Sequence, residues 1–405
     1  MKRSTDRIIT SHAGSLHRPD DIRATMAARK DGEPFDAALS ARIKEGVNEV
    51  VRLQHENGVD VVNDGEYTKR SWQTYSRGRL DGLEFRPLRE GEPRDYGSIT
   101  KRESQHFPEF FEMGVPAFGG TPGGRQGVNV GAPTSAGQGG PEGVFCVGPL
   151  KYIGQEEYKR DIAWIKDAAA QVPGITELCL TALAPGTIEH WMRNTYYKSQ
   201  EEMLFAIADA MHEEYKAITD AGIILQLDDP DLPDGFHVQS QMSVEEYKRF
   251  AEIRVDAMNH AIRDCPPELV RLHICWGSSH HPHTQDIPLS DIIDIVLKTK
   301  AECFSIEAAN PMHEHEWELF ETYKWPEEKI LMPGVLGHAA PEFVEHPRLV
   351  AQRLLRYAKL IGREQVIGGT DCGLSRVRHA SIQWAKFRAM RDGAEMASKE
   401  LWGRA

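Results

Sequence analysis

The run Arg271-Leu-His-Ile-Cys-Trp-Gly277 places an imidazole, His273, and a thiol, Cys275, two residues apart at the end of an apolar stretch. On a β-strand, residues i and i+2 share a face, so the two side chains point the same way. Neutral imidazole and thiolate are the usual protein ligands of zinc. Alone, such a pair is more often a core histidine beside a packed cysteine. Two later apolar runs shift the balance: Phe304-Ser-Ile-Glu307 ends in a carboxylate, and Val366-Ile-Gly-Gly-Thr-Asp-Cys372 ends in a second thiol. Acids are ordinary where a strand gives way to an exposed turn, but a cysteine is seldom placed there without a reason of reactivity.

What must position these groups is a repeated alternation. Strand-like runs over 7–15, 59–66, 144–149, 177–183, 223–230, 271–277, 303–307, 330–336 and 366–372 are separated by segments of helical period over 38–58, 155–171, 199–221, 243–263, 290–299, 314–323, 342–361 and 377–401. In 38–58 the apolar residues Ile43, Val47, Val50, Val51 and Leu53 keep close to helical spacing and Gly58 is the stop. Strand and helix units joined by short connections predict parallel strands with right-handed crossovers. At this length the expected fold class is α/β, a (β/α)8 TIM barrel forming a single domain over 1–405. Nine strand-like runs compete for eight places, and the one near Val144 is expected to pair outside the barrel with an insertion over about 67–143. That insertion follows the second strand and is irregular. Its part over 118–143 is crowded with Gly, Pro, Ser and Gln and reads as a surface loop, either a lid or a plain decoration.

A barrel collects its active site at the C-terminal ends of its strands. Ser15, Glu66, Asp228, His273, Cys275, Glu307 and Cys372 all stand at such ends. Bulk properties narrow the chemistry further. A formal net charge of -13 argues against nucleic acid, whose phosphates need clustered Lys and Arg. No apolar run approaches the roughly 20 residues that cross a bilayer, and the first residues lack the apolar core of a signal peptide. Cysteines at 146, 179, 265, 275, 303 and 372 are scattered, which fits a reducing, cytoplasmic compartment where thiols are available to a metal.

As a set, His273-x-Cys275, Glu307 and Asp371-Cys372-Gly373-Leu374 resemble the zinc site of cobalamin-independent methionine synthases. Gly14-Ser15, Asp64-Gly-Glu66, Gln226-Leu-Asp-Asp-Pro230 and Pro333-Gly-Val335 agree in order and spacing. The likeness runs from about residue 8 to residue 390 and covers only the catalytic C-terminal half of that two-domain family, as in its short stand-alone relatives. It implies Zn2+ held by His273, Cys275, Glu307 and Cys372, with Ser15, Glu66 and Asp228 holding the amino-acid part of a homocysteine-like thiol. The implied partners are that acceptor and a folate-like or other alkyl donor, with the oligomeric state open. Two departures stand out. Where the family has Gly-Val-x-Asp-x-His, this chain reads Gly334-Val-Leu-Gly-His-Ala339, so His338, the candidate proton donor, falls one position early and faces another way. Asp229 stands where a Glu usually follows the aspartate matched by Asp228.

Beside the site, the aromatic segment His190-Trp-Met-Arg-Asn-Thr-Tyr-Tyr197 offers Trp191 as a wall of the substrate cavity, or as ordinary packing. His280-His281-Pro-His283 reads as a rim of the pocket rather than a second metal site, because a Pro-broken loop does not fix three imidazoles in one geometry. The expected activity is zinc-dependent methyl or alkyl transfer to a small thiol. The alternatives are an epoxyalkane–coenzyme M transferase-like alkylation, a metal-free uroporphyrinogen decarboxylase-like enzyme, and a non-catalytic zinc protein.

Overall fold

The computed structural model describes residues 1–93, 95–113, 142–277 and 281–403. In chain order its strands are β1 (Ile9–Thr10), β2 (Val61–Val62), β3 (Leu80–Pro87), β4 (Glu142–Tyr152), β5 (Glu177–Leu183), β6 (Met192–Asn194), β7 (Ile224–Asp228), β8 (Val270–Ile274), β9 (Cys303–Ile306), β10 (Ile330–Leu336) and β11 (Ile367–Thr370). Eight of them form one parallel sheet in the order β1-β11-β10-β9-β8-β7-β5-β2. The two ends of that order meet, because the Asp60 N–H donates to the Thr10 carbonyl at 3.0 Å. The TIM barrel read from the alternation is therefore present and nearly closed. Its central strands are buried throughout: β7, β8 and β9 are buried at every residue, polar ones included, as strands covered on both faces must be.

The ninth strand-like run lies where expected. β4 pairs antiparallel with β3 from the insertion and parallel with β6, making a separate three-stranded sheet. Other expectations need adjustment. The runs at 7–15 and 59–66 hold only two strand residues each, β1 and β2. Beyond β2 the ladder is replaced by a side chain, since Gln54 accepts from the Asn63 N–H at 2.9 Å and donates to the Asn63 carbonyl at 2.7 Å. The helix expected over 342–361 begins only at Pro347, which occupies the first turn behind an N-cap from His346, and 314–323 is a 3-10 helix, Glu314–Glu321. Short helices at Pro185–His190 and Asp231–Val238 escaped the periodicity because Pro185, Pro233 and Gly235 sit inside them. The expected loop over 118–143 lies, up to residue 141, outside the described residues. Among the described residues no helix is long and apolar enough to cross a membrane.

The insertion is pinned over the barrel mouth by buried polar groups. His190 links Asp231 at 2.5 Å to the Gly97 carbonyl at 3.0 Å. Arg254 holds Asp231 and Glu189, each at 2.6 Å, from the outer helix Val244–Ala261. Glu103 accepts the Thr284 and Gln285 N–H groups at 3.0 and 2.9 Å, joining helix Lys101–His106 to the loop that follows β8. Each group is buried and partnered, which is the condition for burying charge at all.

Candidate metal centre and its cavity

Strand register brings the chemistry together. Arg271 and His273 on β8 and Cys275 just past its end alternate into the barrel, with His273 level with Asp228 of β7 and Ser305 of β9. Cys372 arrives from the turn after β11. One ligand-competent atom from each of His273, Cys275 and Cys372 lies within 4.8 Å of the others. His273 Nδ1 faces Ser305 Oγ at 3.0 Å, which leaves the opposite nitrogen, Nε2, as the one that could hold a metal. That Nε2 is buried and has no hydrogen-bond partner among the described residues. An imidazole nitrogen left without a partner and two sulfurs are the donors a soft or borderline divalent ion asks for, so the residues present fit a metal. Without one, the thiols behave as a pair. The hydrogen bond to Cys372, then burial, pushes the Cys275 pKa well up. The same bond outweighs burial to pull that of Cys372 well down, with His273 assisting.

Glu307 does not join that trio directly. It gathers with His338 and Asp371, again with one ligand-competent atom from each within 4.8 Å. Its oxygens accept from the Trp276 N–H at 3.0 Å and from Asn310 Nδ2 at 2.6 Å, and burial followed by the nearby Asp371 pushes its pKa well up. His338 Nε2 faces the Gly277 carbonyl at 3.3 Å, and its Nδ1 is buried with no hydrogen-bond partner among the described residues. Burial lowers the His338 pKa to about 4, so the ring is neutral at neutral pH. Asp371 is raised to about 7 by burial, against the pull of the Ala308 and Ala309 N–H groups, both of which donate to its Oδ1 at 2.8 Å.

A cavity opens directly over the trio, lined by Ser15, Glu66, Trp72, Ile99, Trp191, Asp228, Asp234, His273, Cys275, Cys372 and Arg376 among others. Glu66 enters it from a left-handed turn: Gly65 and Glu66 both have positive φ, 64° and 60°. For glutamate this conformation is uncommon and costs roughly 1 kcal/mol or more, the kind of strain that collects at functional sites. Glu66 Oε1 accepts from Thr181 Oγ1 at 2.8 Å, and Oε2 has no hydrogen-bond partner among the described residues. Thr181 is itself held by Lys69 Nζ at 2.6 Å. Gly14, at φ +139°, is required here because a Cβ would come within 2.9 Å of Glu66 Oε1. Asp228 accepts from Gln226 Nε2 at 2.7 Å and is raised to about 7 by burial, against the pull of His273. Trp72 and Trp191 meet edge to face at 6.1 Å. The Trp191 Nε1 donor is buried without a hydrogen-bond partner among the described residues.

The model of the cobalamin-independent synthase catalytic domain matches residues 152–396, more than half of the chain. The chain belongs to the cobalamin-independent synthase family. A methionine synthase of Sulfolobus acidocaldarius is 23% identical over 402 residues, covering 97% of this chain and 93% of that protein. A 5-methyltetrahydropteroyltriglutamate–homocysteine methyltransferase of Thermotoga petrophila is also 23% identical, but this chain spans only 44% of its length. Among solved structures, a B12-independent methionine synthase from Shewanella sp. W3-18-1, in complex with selenomethionine, superposes with a TM-score of 0.68 at 20% identity, covering 98% of this chain and 99% of that one. A Listeria monocytogenes protein described as a vitamin-B12-independent methionine synthase reaches 0.62 at 17% identity, covering 98% and 100%.

Within this synthase-family fold, the sequence motifs account for His273, Cys275, Cys372, Ser15, Glu66 and Asp228, all of which line the cavity. Thr181, Ser305, Asp234 and Arg376 were missed. Thr181 and Ser305 were readable in principle as inward positions of their strands. Arg376 stands four residues past Cys372, and Trp72 and Ile99 come from the insertion, where no period marks them.

Proposed function

We propose that this chain transfers a methyl group to the sulfur of a homocysteine-like amino-acid thiol, using zinc held by His273, Cys275 and Cys372 with Glu307 as the displaceable fourth ligand. The observation that carries this reading is the convergence of an imidazole and two thiols at the mouth of the barrel, in the wall of a cavity that also presents the buried carboxylates of Glu66 and Asp228. Bound there, zinc supplies the Lewis acidity that brings a thiol, with an ordinary pKa of about 8.5, to its nucleophilic form at neutral pH.

The protein's own groups do the rest. Glu66 Oε2 and Asp228 are acceptors in place for the ammonium of the amino acid, and that charge favours the ionised form of an aspartate that burial alone would keep protonated. Thr181 and Gln226 fix the two carboxylates so that no reorientation is needed on binding. Ser15 closes the amino-acid end. Trp72, Trp191 and Ile99 exclude water from the reacting carbon, and the Trp191 indole N–H is available to a polar edge of a folate-like donor. His338 keeps a lone Nδ1, but with its pKa lowered to about 4 by burial it is a weak base that holds no added proton at neutral pH, which disfavours it as the proton donor. Asp371 is the neighbour able to hold a proton near neutral pH. The relatives named methionine synthase favour methyl transfer over the epoxide and decarboxylase readings.

The test is a donor screen with L-homocysteine and the metal-replete protein, offering 5-methyltetrahydropteroyltriglutamate, methylcobalamin and an epoxide in parallel. Methionine should form from a methyl donor. Thiol alkylation by the epoxide alone, or no thiol consumption with any donor, contradicts the reading.

A further inference from the structure

The cavity wall carries a cation that lies outside the sequence motifs. Arg376 lines it together with Glu66 and Asp228; burial lowers the pKa of its guanidinium, against the pull of Cys372. It follows β11, which is four places from β7 in the eight-strand order and so on the opposite side of the barrel from Asp228. Its turn is fixed in place. A Cβ on Gly373 would stand 2.3 Å from Ser15 Oγ, so the β11 turn lies flush on the β1 turn, and Ser15 Oγ and Ser375 Oγ are 3.0 Å apart.

A site that received only an ammonium would gain nothing from a guanidinium in the same cavity, since like charges repel across a poorly solvated space. A site that receives a zwitterion needs both signs, on separate walls. The planar fork of arginine matches a carboxylate with two parallel N–H bonds. We propose that Arg376 receives the carboxylate of the acceptor amino acid while Glu66 and Asp228 receive its ammonium, so that Arg376 selects amino-acid thiols over simple aminothiols. This rests on the acceptor reading given above.

Three thiols separate the contributions: L-homocysteine, 3-aminopropane-1-thiol, which lacks the carboxylate, and 4-mercaptobutanoate, which lacks the ammonium. Each is titrated calorimetrically into the metal-replete full chain and into R376M, R376K and E66Q, with metal content checked in every sample. Wild type should bind L-homocysteine most tightly. R376M should weaken L-homocysteine and 4-mercaptobutanoate at least tenfold while leaving 3-aminopropane-1-thiol within twofold, R376K should fall between, and E66Q should show the reverse selectivity. An equal loss for all three thiols in R376M and R376K makes Arg376 a counter-charge to the cysteines and overturns the proposal, as does no loss at all. If R376M fails to fold, R376K is held to the same criterion. Wild type that binds no amino-acid thiol overturns the acceptor reading as well, whereas wild type that binds L-homocysteine with Arg376 variants unchanged overturns this inference alone.

Discussion

Two pairs of cysteines sit inside the same barrel, and they are chemically opposite. Cys179 of β5 and Cys303 of β9 belong to the lower interior, packed with Ile9, Val61, Ile224, Ile330, Met332 and Ile367. Burial pushes their thiols up, to about 11 and about 12, even though Arg271 pulls against it. Arg271 Nη2 stands 3.0 Å from Cys179 Sγ, and its other bonds go to Ser11 Oγ, the His12 carbonyl and Met332 Sδ. Cys275 and Cys372 stand at the upper end, beside an imidazole with an orphaned nitrogen. The same residue type is a small hydrophobe near the floor and, in the proposed reading, a metal ligand at the mouth. Height along the strand decides which, because only the C-terminal ends open onto turns that can bring a second thiol and a carboxylate from other strands.

The comparison breaks most sharply by exchange. Cys372→Ser or Cys275→Ser should abolish stoichiometric metal binding, measured by elemental analysis, and reduce thiol transfer to background, whereas Cys179→Ser and Cys303→Ser keep both. Metal loss in the lower pair would erase the distinction. Next, Glu66→Gln removes a charged acceptor from the cavity and should weaken L-homocysteine binding about 10- to 100-fold in equilibrium titrations without changing metal content. Of comparable size or smaller is Ser305→Ala, which frees His273 Nδ1 and should lower metal affinity by about 10- to 100-fold in chelator competition.

A pH experiment sharpens the contrast between a buried acid that serves a ligand and one that serves the fold. Asp228 is raised in the folded chain to about 7, above its ordinary value, so the folded state holds the proton more tightly than the unfolded one. Its contribution to stability is therefore fully present below about pH 4 and is lost as pH rises through about 7. In denaturant titrations of the metal-free, substrate-free chain, Asp228→Asn should flatten that loss and gain on the order of 1–3 kcal/mol at pH 8. An unchanged pH profile would mean that Asp228 is already ionised and paired. Smallest of all, Cys303→Ala should cost about 1 kcal/mol of stability and nothing in metal content.

Much of this was legible before the coordinates. Parallel alternation fixes a barrel, and in a barrel the motif residues at strand ends have few places to go. His273, Cys275 and Cys372 meet because β8 and β11 both end at the mouth. The extra strand β4 could be set aside for the same reason, since eight places were already filled. Glu307 was harder: it ends β9 as read, but its carboxylate is held by Trp276 and Asn310, next to His338 and Asp371, and spacing says nothing about which way a strand-end carboxylate turns. Gln54 replacing the ladder beyond β2 was unreadable, because a polar helix residue looks like surface until its partner is known. Trp72, Ile99 and the His190–Asp231 pair come from segments without period, where tertiary contacts alone decide the structure, and nothing in the readable helix that carries Arg254 marks it as their partner.

The central claim is that one metal is gripped by His273, Cys275 and Cys372 together. X-ray absorption at the zinc edge of the purified chain tests it most directly. The account predicts about one zinc per chain with two sulfur and two lighter neighbours, and one sulfur fewer, or no zinc, in Cys372→Ser. Zinc absent from the wild type, or a shell without sulfur that Cys372→Ser leaves unchanged, contradicts it.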